Sequence, residues 1–282
     1  MWLLLALVAL CCQSIFWLLA RSILKKNENS SIAFTIYFDF LLGIILLPIA
    51  LLNGFVIPPL HQILLNFILM IILYATIDIF TYLALKYTPV SEFIIIRATI
   101  PIWTTIISIP ILHENANPLK IAGVLLSVIG VCLVFFNNKK IHLHQGHLFV
   151  FLSALLYGLA FVNDAVLLHH FNSTTYSALY FLLPPFLVAA IYPNKLSKIS
   201  SFLKKNILVR FLLAAIPLAA YGLAVNTSYK LGGQISTIST IVQLSSIVTV
   251  ILGIFLLREK DHLARKILAG IIVIAVIILI QM

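Results

Sequence analysis

One polar pattern occurs twice in this chain, about half a chain length apart, and each copy lies among long apolar runs. In the first copy Lys86 ends one apolar run and Glu114 follows the next. Lys230 and Glu259 take the corresponding places in the second copy. The two spacings, 28 and 29 residues, each leave room for one membrane-spanning helix and its turns. The chain is therefore predicted to contain two similar halves.

The composition restricts the fold class to membrane proteins. Hydrophobic residues make up 62% of the chain and charged residues only 9%, whereas soluble domains carry about 25% charged residues. The apolar runs are continuous rather than alternating, which favours helices over a β-barrel. We expect an all-α membrane protein with ten transmembrane helices, over residues 2–20, 32–52, 62–85, 90–112, 119–136, 147–168, 174–192, 207–229, 234–257 and 264–281.

The basic residues predict the orientation in the membrane. Numbering the links between runs from one to nine, the odd links and their flanks hold fifteen Lys and Arg residues and the even links only Lys120 and Lys230. Positively charged links remain in the cytoplasm, so odd links are expected inside and both termini outside. The basic residues are accordingly expected to face anionic lipid and not nucleic acid.

The halves are expected to meet at the polar link 137–145, giving units 1–140 and 141–282 with five runs each. Because five is odd, each motif of the second half must emerge on the opposite side from its counterpart. This arrangement is an inverted repeat, and two inverted halves that rock around a central site are typical of secondary transporters.

These residues resemble a known family. The stretches Tyr82–Glu92, Ile100–Pro101 and Leu112–Glu114, with Gly123 and Gly130, are similar to the EamA repeat of the drug/metabolite transporter superfamily, as are Leu256–Glu259 and Gly270. The resemblance implies ten helices in two inverted five-helix halves, a central cavity and secondary transport of small metabolites, often outward. Two features depart from the family. Its members usually begin inside the cell, and His113 replaces the usual Gly or Leu.

Four ionisable residues inside the predicted spans are candidates for gating or ion coupling, namely Asp39, Asp78, Arg97 and Asp164. The first three each lie eight residues from a link, hence about 12 Å deep on the same side. Asp78 and Arg97 are expected to pair, either as a structural ion pair or as a gate that takes up protons with Asp39. Asp164 either snorkels to the outer interface or gates the cavity.

A substrate cavity is predicted from polar and aromatic residues near the middle of the spans. These are Gln13, Trp17, Trp103, Tyr157, Tyr221, Asn226 and Gln243. Taken singly each is explained by an interhelical contact, and taken together they suit a small molecule with a planar or aromatic part. Pro101 and Pro217 are expected to remove backbone hydrogen bonds beside the cavity. Glu114 and Glu259 are expected to cap the helices that follow them.

Motifs for nucleotides, metals or catalytic nucleophiles are missing from the sequence, so we expect no cofactor, no metal and no enzyme activity. Cys11, Cys12 and Cys132 lie within apolar runs without metal-ligand spacing. The histidines of link five, His142, His144 and His147, are interpreted as solvated polarity.

The sequence thus favours a multi-pass protein of the cell membrane (plasma or inner membrane) that exports small organic metabolites, amino acids or drug-like amphiphiles by alternating access. The expected partners are the substrate, the lipid bilayer and a proton as coupling ion, with no nucleic acid, and the chain would act as a monomer or homodimer. A lipid-linked sugar carrier or flippase and an integral membrane enzyme are the alternatives.

The charge distribution makes a testable prediction about topology. A reporter that is active only in the cytoplasm should give no signal when fused after Met282, and a signal when inserted within residues 195–205, because link seven is strongly basic. The reverse result would show that the usual family orientation overrides the charge bias.

Overall fold

The computed structural model describes residues 1–24, 31–88, 90–115, 117–135, 144–203, 205–249 and 263–279. These residues are almost entirely helical and contain no strand, since a backbone in lipid must satisfy its own hydrogen bonds. The α-helices are α1 (Trp2–Leu24), α2 (Ser31–Leu52), α3 (Leu60–Tyr87), α4 (Val90–Arg97), α5 (Ile100–Leu112), α6 (Pro118–Phe135), α7 (Gln145–Leu168), α8 (Ser173–Leu182), α9 (Pro184–Ile191), α10 (Lys205–Lys230), α11 (Ile235–Gln243) and α12 (Leu263–Leu279). A 3₁₀ helix covers Pro193–Leu203.

The length and hydropathy of these helices confirm a multi-pass membrane protein. Six segments are long and apolar enough to cross a bilayer, and shorter apolar helices accompany them. The six are Ile32–Leu52, His61–Thr81, Glu92–Leu112, Gln145–Leu168, Ser173–Ile191 and Ile207–Lys230. Large aliphatic side chains such as Leu65 and Ile274 are exposed on the outer surface, which is the surface that lipid would cover.

Three of the predicted spans are interrupted. The span 90–112 breaks at Ala98 and Thr99, between α4 and α5. The span 174–192 breaks at Leu183, and the helix that begins at Ile235 is interrupted at Leu244 before continuing over residues 245–249. Proline explains the second break, because it cannot continue a helix and suits its first turn.

Pro101 behaves differently from the expectation that it removes a backbone hydrogen bond within a helix. It lies in the first turn of α5, where its missing N–H has no intrahelical acceptor in any case. Pro217, by contrast, lies inside the uninterrupted helix α10.

Links two, four, six and eight assemble at one end of the bundle, hereafter the Glu114 face. Asn172 in link six donates from its side chain to the Gly54 carbonyl in link two at 2.8 Å. The Lys230 ammonium donates to the Phe171 carbonyl at 2.6 Å, joining links eight and six. These contacts bring together links that the parity argument places on one side of the membrane.

The opposite end, hereafter the Glu92 face, joins the starts of α4 and α7 and the 3₁₀ helix. Glu92 Oε2 lies 2.7 Å from His147 Nε2. Phe202 of the 3₁₀ helix stacks on Tyr37 of α2, with ring centroids 6.2 Å apart. The first contact joins links three and five, and the second packs link seven against the first half of α2.

A buried carboxylate joins the two halves at the Glu114 face. Glu114 Oε2 accepts from Lys120 Nζ and Ser108 Oγ, each at 3.0 Å, within the first half. Its Oε1 accepts from the Ile235 backbone N–H at 2.6 Å, and the Ser236 hydroxyl also donates to the carboxylate. Glu114 therefore caps α11 of the second half. The sequence had predicted that it would cap α6, the helix that follows it, and that prediction is wrong. Glu259 lies outside the described residues.

Lys120 completes this joint. Its side chain is only 5% exposed, as is that of Glu114. Besides Glu114, its ammonium donates to Gln234 Oε1 at 2.6 Å in link eight. Both charges are thus removed from solvent and satisfied by partners drawn from both halves.

His113 gives the turn before Glu114 an unusual backbone. It ends α5 with φ 52° and ψ 38°, and is the one non-glycine residue with positive φ in the described part of the chain. Side chains with a Cβ adopt this left-handed conformation at a cost of about 1–2 kcal/mol. The position suits glycine, which is one of the two residues, Gly or Leu, usual there in the EamA pattern.

We expect His113→Gly to raise the unfolding temperature of the purified protein, because glycine removes the left-handed strain. The gain should be below about 1 kcal/mol, since glycine also loses more backbone freedom on folding. His113→Ala is the matched control, because it deletes the imidazole yet keeps the Cβ and should give no gain. An equal effect of both variants would assign the change to the side chain.

Candidate functional site

Five tyrosines from four helices meet in the interior of the bundle. They form the tyrosine cluster: Tyr74 of α3, Tyr157 of α7, Tyr176 and Tyr180 of α8, and Tyr221 of α10. Ring centroids are 5.1 Å apart for Tyr74 and Tyr180, 6.2 Å for Tyr74 and Tyr157, and 5.9 Å for Tyr176 and Tyr180. All but Tyr176 keep some accessible surface although they lie between helices. We infer that this surface lines an internal cavity, because the rings lie between helices and are nevertheless accessible.

Asp164 lies on the side of the cluster nearest the Glu114 face. Its two carboxylate oxygens accept hydrogen bonds from Tyr176 and from Tyr74, each at 2.5 Å. The residue is 4% exposed, so it points into the bundle and does not snorkel to the interface. Three helices, α3, α7 and α8, hold this carboxylate in place.

Asp39, Asp78 and Arg97 come together on the side of the cluster nearest the Glu92 face, at the shared depth that residue counting predicted. The carboxyl groups of Asp39 and Asp78 lie within hydrogen-bond distance of each other. The Arg97 guanidinium lies over the Tyr157 ring, 4.4 Å from its centroid. It also donates to Thr81 Oγ1 at 3.4 Å.

The predicted direct ion pair between Asp78 and Arg97 is not formed. Within the described ranges, ion pairs shorter than 4.0 Å join Glu114 to Lys120 and Glu92 to His147. Arg97 is near enough to Asp78 for electrostatic attraction. The Tyr157 ring binds the guanidinium through a cation–π contact, while Asp78 faces Asp39.

The predicted cavity residues divide into two groups. Tyr157, Tyr221 and Trp103 pack around the same apolar core between α5, α7 and α10. Trp17 packs in a separate aromatic core, with its ring 5.3 Å from that of Phe16. Tyr157 and Tyr221 belong to the tyrosine cluster, and Trp103 borders it.

Gln13 and Asn226 make interhelical hydrogen bonds. Gln13 Oε1 accepts from the Ser245 hydroxyl at 2.8 Å. Asn226 Nδ2 donates to the Ser177 hydroxyl at 2.8 Å and is nearly fully buried. Gln243 is partly exposed at the end of α11. The contacts of Gln13 and Asn226 match the alternative that polar residues hold helices together.

Tyr74, Tyr176 and Tyr180 were not selected from the sequence. The spacing offered a signal, because Tyr74 precedes Asp78 by four residues and Tyr176 precedes Tyr180 by four. Residues four apart share one face of a helix. Two polar positions on one face of an otherwise apolar span indicate that this face is turned away from lipid.

A second polar group, on the Glu92 face, has the composition of a metal site. One ligand atom from each of Glu92, His144 and His147 lies within 4.8 Å of the others. His147 is buried, so the interpretation of this link as solvated polarity is wrong for that residue. His142 lies outside the described residues.

The hydrogen bonds of this group favour helix capping over metal binding. His144 Nδ1 accepts from the Gly146 N–H at 3.0 Å, and His147 Nδ1 accepts from the His144 N–H at 3.2 Å. A neutral imidazole that accepts at Nδ1 carries its proton on Nε2. In this arrangement Nε2 offers no lone pair to a metal, and in His147 it donates to Glu92.

We expect Asp164 and Tyr176 to be energetically coupled. Tyr176→Phe leaves one buried carboxylate oxygen without its donor, which should cost about 1–3 kcal/mol of stability. In a double-mutant cycle with Asp164→Asn, the combined loss should be smaller than the sum of the single losses. Thermal unfolding in detergent measures this, with Tyr192→Phe as the control. Strict additivity would contradict the coupling.

Comparison with known proteins agrees with this architecture. The EamA-like transporter family matches residues 1–136 and again residues 144–281. One solved crystal structure, titled only as that of a protein, superposes with a TM-score of 0.78 at 14% identity, covering 98% of this chain and 94% of that chain. At this identity the likeness concerns the fold alone. No curated protein shows significant sequence similarity. The family match spans both halves, and the chain belongs to the EamA-like transporter family.

Proposed function

We propose that this protein is a secondary transporter that exports small organic molecules by alternating access around the tyrosine cluster. The observation that carries the proposal is a cluster of tyrosines between membrane-spanning helices, with Asp164 on one side and the Asp39–Asp78 pair on the other. Ionisable groups inside a membrane protein typically mark a substrate or ion pathway. Family membership supports transport over enzymatic activity.

The proposed architecture is ten transmembrane helices in two inverted halves, residues 1–140 and 141–282. Matching interruptions support it, because the helix after Lys86 breaks at residues 98–99 and the helix after Lys230 breaks at Leu244. Discontinuous helices at corresponding places of two halves are a feature of transporter sites. The meeting of links two, four, six and eight at one face and of links three and five at another also supports it.

The proposed coupling ion is a proton held by Asp39 and Asp78. A carboxylate has no donor, so a hydrogen bond between two carboxyl groups requires a proton on one of them. Loss of that proton would leave two negative charges beside a single guanidinium, Arg97. The pair can therefore exchange a proton for a change in conformation or in bound substrate, and Asp164 would act as the gate on the opposite side.

The charge bias supports an orientation with both termini outside the cytoplasm of the cell membrane. In that orientation the Asp39–Asp78 pair lies on the cytoplasmic side and Asp164 on the outer side. The structure is compatible with a monomer or a homodimer.

Proteoliposomes test the transport function. Vesicles would be loaded with a defined pool of amines, amino acids and nucleosides, and the solutes released under an imposed pH gradient would be measured by mass spectrometry. Wild type should release one solute class in a gradient-dependent manner. Asp39→Asn and Asp78→Asn should remove the gradient dependence, because the shared proton is lost.

The control is Asp261→Asn, an acid-to-amide change in predicted link nine, which should keep the gradient dependence. The double variant Asp78→Asn with Arg97→Gln separates structure from coupling, because it removes both charges together. If that variant folds and transports under the gradient, proton coupling is contradicted. If folded wild type releases no solute class, the transport function is contradicted.

A further inference from the structure

We propose that the tyrosine cluster, together with the Asp164 carboxylate at its edge, binds an organic cation, namely an amine attached to an aromatic or aliphatic body. The inference rests on the proposed transport function and specifies the substrate class for the same cavity. It comes from the charge balance of the cavity and from the chemistry of its rings.

The cavity contains more acid than base. Within reach of the tyrosine cluster, the described residues supply three carboxyl groups, Asp39, Asp78 and Asp164, against one guanidinium, Arg97. The proton shared by Asp39 and Asp78 leaves that pair with one negative charge, which Arg97 balances. Asp164 has tyrosine hydroxyls as partners but no cation within 4.0 Å among the described residues. A bound cation would supply the missing charge.

Asp164 keeps acceptor capacity for a ligand. An ionised carboxylate offers about four lone-pair sites, and the hydroxyls of Tyr74 and Tyr176 use two of them. The remaining sites can accept N–H donors from an ammonium group. The two tyrosines fix the carboxylate in place, so a ligand would meet a preorganised acceptor.

The rings offer the second part of the recognition. The faces of tyrosine rings attract cations, more strongly where water is excluded, and the Arg97 guanidinium over Tyr157 shows one such contact in this cavity. The Tyr74 ring is perpendicular to Tyr157 at 89° and tilted 36° from Tyr180. Rings in different orientations can enclose a cation and its apolar body from several sides.

The same groups disfavour other substrate charges. An anion would approach three carboxyl groups, and the one guanidinium that the described residues place near the cluster is already engaged with Tyr157 and Thr81. A zwitterion would need Arg97 to leave those partners and bind its carboxylate. A monocation requires neither change.

The fit of Tyr180 depends on a glycine in the facing helix. A Cβ added to Gly222 of α10 would lie 2.7 Å from the Tyr180 hydroxyl oxygen. The absence of that Cβ lets the Tyr180 hydroxyl reach α10 beside Tyr221. Gly222→Ala is therefore a way to displace Tyr180 without changing the charge of the cavity.

A matched ligand series tests the proposal on the purified full-length protein. Phenethylamine, phenylalanine and 3-phenylpropionate carry the same ring with a positive, a zwitterionic and a negative group. Isothermal titration should show that phenethylamine binds at least tenfold more tightly than the other two. Asp164→Asn should weaken the binding of phenethylamine at least tenfold. Tyr180→Leu and Gly222→Ala should also weaken its binding, whereas Tyr180→Phe should retain it.

Several outcomes would overturn the proposal. Tighter binding of phenylalanine, lost in Arg97→Gln, would identify a zwitterion site, and preference for 3-phenylpropionate would identify an anion site. Phenethylamine binding that Asp164→Asn and Tyr180→Leu leave unchanged would place the amine elsewhere. If Asp164→Asn fails to fold, the comparison of phenethylamine binding in Tyr180→Leu and Tyr180→Phe still tests whether the tyrosine cluster binds the amine. If the protein binds no amine but releases another solute class from proteoliposomes under a gradient, the proposal of an organic cation is wrong and the proposed transport function is still supported.

Discussion

The buried carboxylate of Glu114 is a polar joint between the two halves, which otherwise pack through long apolar helix pairs such as α3 with α7 and α1 with α10. It accepts hydrogen bonds from Ser108 and Lys120 in the first half and from Ile235 and Ser236 in the second. Removing one member of a buried ion pair typically costs about 3–5 kcal/mol, which applies here to Glu114 and Lys120. The end of α5 and the start of α11 are thereby held together at the Glu114 face.

The sequence predicted depth better than it predicted partners. Counting residues from the turns placed Asp39, Asp78 and Arg97 at one level, because the rise of a helix is constant. It could not predict that Arg97 would lie over Tyr157, since that ring comes from α7 and its direction depends on packing. The cap that Glu114 provides was misassigned for the same reason, because α11 is distant in sequence.

The helix interruptions and the tyrosines show where local signals were present and overlooked. Pro184 and Pro185 marked the break in the span 174–192, and Pro101 marked the break at residues 98–99, whereas the break at Leu244 has no comparable helix breaker of its own. Asp164 looked exposed from its nearness to link six, but its burial follows from hydroxyl donors on α3 and α8. The existence and class of the helices were therefore predictable, and the composition of the cavity was only partly so.

The two faces of the bundle are closed by different chemistry, which bears on how rocking halves could open. At the Glu114 face both members of the ion pair are 5% exposed, and the carboxylate is bound by donors from both halves. At the Glu92 face, Glu92 is 23% exposed and its partner is an imidazole that is charged only when protonated. Separating a buried ion pair costs free energy because each charge has neither its partner nor water. The cost is smaller for a partly solvated carboxylate, because water already hydrates part of it. In the proposed mechanism the Glu92 face would therefore be the less costly one to open, and the proposed proton at Asp39 and Asp78, on that side of the tyrosine cluster, would be well placed to bias its opening.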